Sequence, residues 1–135
     1  MVEETLVERK IEVSKRLTEE LIRRGAPVIA AFWDFREELG RWVLVLVPRS
    51  VQDEKHLIDE ASSLLSKAPF RSVLSVSDPT VDSRQGDRAR ALGAYIRVEP
   101  HVGRRIDTTF TGGHYFESVV PVYLAPELMP HIAVT

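Results

Sequence analysis

Val28-Ile-Ala-Ala-Phe32 and Arg41-Trp-Val-Leu-Val-Leu-Val47 are two β-rich runs joined by the polar segment Phe35-Arg36-Glu37-Glu38-Leu39-Gly40. A short link with glycine at its end predicts an antiparallel hairpin. The second run is apolar from Trp42 to Val47. A strand covered on one face alternates apolar and polar residues. An unbroken apolar run therefore predicts that both faces are covered, by helices or by a partner subunit.

Upstream, residues 3–24 read as an amphipathic helix, with Leu6, Ile11, Leu17, Leu21 and Ile22 near helical spacing. Arg23 and Arg24 suit its C-terminal dipole, and Gly25 stops it. Downstream, Pro48 ends the apolar strand. Ser50 is the expected cap of a helix over residues 50–67, whose stripe is Val51, Leu57, Ile58, Ala61, Leu64 and Leu65. A third strand is expected at 73–76, Val-Leu-Ser-Val, followed by a polar loop over 77–83 with the turn pair Asp78-Pro79. A short helix over 84–95 is capped by Asp82 or Ser83. Residues 95–98 read as a short strand. Residues 105–111 alternate, Gly112-Gly113 signals a turn, and 114–124 form a strand in which Pro121 demands an edge or a bulge.

The order is α-β-β-α-β-α-β-β. It predicts an α+β fold, with a mostly antiparallel sheet of about five strands and two main helices packed on one face. At 135 residues, 44% hydrophobic and 28% charged, the chain is sized for one domain. We place the domain at residues 1–126 and a tail at 127–135.

The second half carries a resemblance. Val76-Ser77-Asp78-Pro79 precedes Arg88-Ala-Arg-Ala-Leu-Gly93, and later Phe110-Thr-Gly-Gly-His-Tyr-Phe-Glu-Ser118 leads into the strand Val119 to Tyr123. This is similar to a group of small bacterial proteins of unknown function that begin with a helix and a Trp-containing hairpin. The pattern departs at Thr111-Gly112-Gly113. The resemblance implies a single domain and carries no reaction.

Cysteine is absent, which excludes disulfides, thiolate nucleophiles and Cys-based metal sites. No basic, apolar leader opens the chain, and no apolar run approaches the ~20 residues that span a bilayer. A bacterial-style cytoplasmic protein is the expectation. His56 stands three and four residues before Asp59 and Glu60, as a solvated helix face does. His114 and Glu117 are three apart in a strand and face opposite ways. Asp78, Asp82 and Asp87 surround one loop, but their spacing matches no calcium loop, and turn or cap roles explain them. Asp34 ends the first strand, yet the next strand holds no charged partner of the kind a nuclease needs. Nucleophile elbows and phosphate-binding glycine loops are missing. We therefore assign no catalytic residue, no metal and no cofactor.

Two features remain. Six arginines between Arg84 and Arg105 face only Asp87 and Glu99, although the whole chain carries a net charge of −2. Arg84, Arg88, Arg104 and Arg105, with His114 as acid–base group, would take a phosphate-bearing ligand such as a nucleotide or RNA. Trp33 and Trp42, one on each hairpin strand, read as a cross-strand pair, in the core or at an interface. The leading expectation is a non-enzymatic protein-interaction module acting as a homodimer or in a small complex, without membrane contact. The phosphate-ligand binder or enzyme is the alternative.

Overall fold

The computed structural model describes residues 8–67, 70–74, 79–98, 105–111 and 113–128, with backbone alone at 96–98, 108–111 and 117. Three α-helices, α1 (Glu8–Arg23), α2 (Glu54–Leu65) and α3 (Gly86–Val98), pack on five strands. The strands are β1 (Val28–Arg36), β2 (Arg41–Pro48), β3 (Pro79–Val81), β4 (Ile106–Thr111) and β5 (His114–Leu124). They lie in the order β3-β2-β1-β5-β4. Every pairing is antiparallel except β2–β3. The α+β expectation holds.

Helix α1 ends as its sequence requires. Gly25 has φ +79, the Ala26 amide donates to the Leu21 carbonyl and the Gly25 amide to Ile22. That double bond is the Schellman arrangement, which only a residue tolerant of positive φ completes without strain. The first hairpin forms as expected, with Gly40 at φ +65 in its turn.

The unbroken apolar strand has a direct explanation. Leu44 and Leu46 of β2 join Trp33 and Phe35 of β1 in a core beneath Leu17 and Leu21 of α1 and Leu57 and Leu64 of α2. Val43, Val45 and Val47 point the other way, with Phe32, into a second core closed by Ala89 and Leu92 of α3 and by Leu128. The two main helices share one face as expected, and α3 covers the other. Helices of the same chain thus cover both faces of β2, and no partner subunit is needed for it.

Several elements differ from expectation. The third strand is Pro79–Val81, inside the segment read as a polar loop. Residues 73–74 form a turn after a 3-10 turn at Phe70–Ser72, and 75–78 lie outside the described residues. Proline marked 79 as a breaker, but proline at the first position of an edge strand forfeits no ladder bond. Residues 95–98 are the end of α3, not a strand. Ser50 makes no capping bond to the backbone; its hydroxyl donates to Asp53 at 2.9 Å, and a 3-10 turn at Val51–Asp53 precedes α2. Val51 and Ile58, expected in the core, are 63% and 45% exposed. Leu128, placed in the tail, is buried in the core beside α3.

Pro121 behaves as its chemistry dictates. The β1–β5 register slips between Ala31↔Tyr123 and Phe32↔Pro121, and the β4 pairing stops at Ile106↔Val119. Pro121 therefore sits at a bulge, on a stretch of β5 that β4 does not cover.

Candidate interaction edges

The tryptophans are core residues. Trp33 is 0% and Trp42 2% exposed, so neither offers a contact surface. They are not opposite each other: Trp33 faces Leu44, and Trp42 faces Phe35, with ring centroids 5.5 Å apart at 64°. The indole N–H of Trp33 donates to Ser14 Oγ of α1 at 3.0 Å, which satisfies it in the dry core.

The arginines are distributed rather than gathered. Arg88 lies on the α3 side. It donates to buried Asp34 Oδ2 at 2.9 Å, to Gln85 Oε1 at 3.0 Å and to the Tyr115 carbonyl at 3.2 Å. Its guanidinium stands 4.3 Å over the Phe116 ring. Arg36 donates to the same Asp34 oxygen at 3.0 Å. Arg105 lies 5.2 Å over the Trp42 ring, and Trp42 belongs to the core beneath α1 and α2. It donates to Asp107 at 2.6 Å and to Ser118 Oγ at 3.2 Å, while the Ser118 hydroxyl donates to Asp107 at 2.7 Å. These bonds, the Ser118 bond foremost, hold the Asp107 carboxyl below its usual range. Exposed Arg84 grips Asp82, whose carboxylate also takes the Arg84 amide. The Arg84 bond lowers the Asp82 pKa. Arg104 lies outside the described residues, and His114 sits half-exposed beside the β4–β5 turn. Arg88 and Arg105 thus serve opposite faces of the sheet, and each described arginine of the set already holds a carboxylate.

The other polar candidates have local roles. His56 lies 3.9 Å from Glu60 on the exposed face of α2. Asp82 is a cap, Asp87 pairs with Arg90, and Asp78 lies outside the described residues. Among the described residues no group of three metal-ligating side chains is close enough to hold an ion. Nor does any helix among them have the length and apolarity to cross a membrane.

With both faces covered, the sheet's two edges carry the backbone that no strand pairs among the described residues. They differ. At the β3 edge, the Asp82 amide donates to the Leu46 carbonyl, and Thr80 faces Val45. By the alternation of a strand, Thr80 and Asp82 turn toward β2, so Pro79 and Val81 turn outward. Proline brings no N–H there. The edge is three residues long and is followed by the charged pair Asp82–Arg84. These are the devices that blunt an edge against further pairing. Beside it runs a groove lined by Ile58, Ala61, Leu65, Pro79 and Val81.

The β4 edge is twice as long. Its sequence, Ile-Asp-Thr-Thr-Phe-Thr, holds no proline or lysine and is rich in β-branched residues. Thr111 faces His114 across residues 112–113, with Gly113 at φ +81. A two-residue turn makes that a hydrogen-bonded pair, so Asp107, Thr109 and Thr111 turn their amides to β5. Ile106, Thr108 and Phe110 turn theirs outward, unpaired among the described residues. The Arg88 bond agrees with this phase, because the Tyr115 carbonyl it takes points away from β4. The alternation of 105–111 was visible in the sequence; its edge position was not.

Compared with family models, with curated proteins and with solved structures, the chain matches none.

Proposed function

We propose that the chain is a non-enzymatic protein-interaction module that works as a homo-oligomer and associates through an edge of its sheet. One observation carries the reading: among the described residues β4 presents a six-residue edge with no proline, twice the length of β3, and its charged pair Arg105–Asp107 lies at its N-terminal end. Unpaired strand edges are templates for another chain, and natural sheets that leave them unguarded use them or pay in aggregation. Association through a sheet face has no comparable support, since helices cover both faces. The phosphate-ligand reading needs arginines around one concavity, and Arg88 and Arg105 serve opposite faces.

The test is native mass spectrometry with light scattering on protein purified without a metal-affinity tag. The expected result is a dimer that persists in high salt, because backbone hydrogen bonds and apolar contacts are weakly screened. Thr108→Pro removes an outward N–H and should shift the protein to monomer with its melting transition retained. A monomer at every concentration overturns the reading. So does a bound nucleotide or RNA mass that Arg88→Ala removes.

A further inference from the structure

We infer that the partner is a second copy of this chain, paired β4 to β4 in antiparallel sense about a two-fold axis at Thr108. The inference rests on the edge-association reading and specifies its occupant and register. A two-fold interface is isologous, so one patch must complement itself. In β4 the outward backbone groups belong to Ile106, Thr108 and Phe110, and Thr108 is their centre. With the axis there, Thr108 faces Thr108 of the second copy, and Ile106 faces Phe110 in both directions. Every outward N–H and C=O of the strand then finds a partner. Asp107 falls opposite Thr109.

The neighbouring symmetric registers are worse. An axis at Asp107 sets two carboxylates directly opposite at the closer, non-hydrogen-bonded spacing, which is destabilising. An axis at Thr109 leaves Ile106 beyond the paired stretch. The β3 edge provides no such self-match, because Pro79 has no N–H to give. The product is one continuous sheet built from the five strands of each copy.

The absence of cysteine makes the test direct. Thr108→Cys places one thiol per chain, and facing residues of a hydrogen-bonded pair lie ~5.5 Å apart between Cα atoms, within disulfide reach. Mild oxidation should convert Thr108→Cys to a covalent dimer at least about tenfold faster than Leu39→Cys, an exposed collision control on the first hairpin turn. Phe110→Cys should cross-link no faster than that control. Wild-type hydrogen exchange gives a second readout without substitution. The amides of Ile106, Thr108 and Phe110 should be protected in concentrated samples and lose protection on dilution. A wild-type dimer in which Thr108→Cys matches Leu39→Cys and these amides exchange fast overturns the register and leaves the homo-oligomer reading standing. Faster cross-linking of Phe110→Cys than of Thr108→Cys likewise overturns it. A wild-type monomer at all concentrations overturns both.

Discussion

Ser14 and Trp33 show how single side chains settle this core. Ser14 lies on the buried stripe of α1, where a hydroxyl would be a liability without partners. It donates to the Ile11 carbonyl at 2.8 Å and accepts the Trp33 indole N–H, so both polar groups are satisfied. Ser14→Ala orphans the indole N–H in the core and should cost about 1–3 kcal/mol, read as a lower urea midpoint. Gly93 is similarly constrained. A Cβ there would stand 2.1 Å from the Leu128 carbonyl, so Gly93→Ala should displace the Pro126–Leu128 turn and cost about 1–3 kcal/mol. Asp107 contributes a pH dependence. Its folded pKa lies below its unfolded value, so its stabilisation is complete above about pH 4 and fades as pH falls through the folded pKa. Asp107→Asn should flatten that acid limb of a stability-versus-pH curve.

At the scale of elements, the far half of the β4–β5 hairpin is held from the side. The β1–β5 pairing ends at Asp34↔Val119, yet β5 begins at His114. An isolated two-stranded ribbon is marginal in water. Arg88 of α3 bridges the gap, linking Asp34 of β1 to the Tyr115 carbonyl and covering Phe116. Arg88→Leu removes this tie and leaves buried Asp34 with Arg36 alone. The loss should be about 2 kcal/mol, less than for a fully buried pair because both arginines reach solvent. Amides of β5 between His114 and Ser118 should exchange faster in that variant. Equal exchange in variant and wild type would sink the bridging role.

Across the whole molecule, two cores share one sheet. β1 and β2 send alternate residues into each, so neither layer has a backbone of its own. Unfolding should be a single transition. Leu92→Ala, beneath α3, should lower stability by about 2–5 kcal/mol. Trp33 and Trp42 report from the opposite core, and their fluorescence should move with the same midpoint as far-UV circular dichroism. Separate midpoints would show that the α3 layer melts independently. The same geometry directs association to the sheet edges.

Local chemistry was legible where one residue's own preference governs. Gly25 and Gly40 adopt the positive φ their turns require, the β2 run announced coverage on both faces, and Pro121 announced an edge or a bulge, of which the bulge is found. Those properties are intrinsic to the backbone or to a strand's alternation, so they survive any context. The cover that α3 gives the second face, the parallel place of β3 and the separation of the arginines onto opposite faces were not legible. They depend on strand order, and strand order is set by which apolar surfaces best close the two cores together. The same applies to the edges. Residues 79–81 and 106–111 read as a loop and a strand, but only packing made one the short, proline-led edge of the sheet and the other its longer edge.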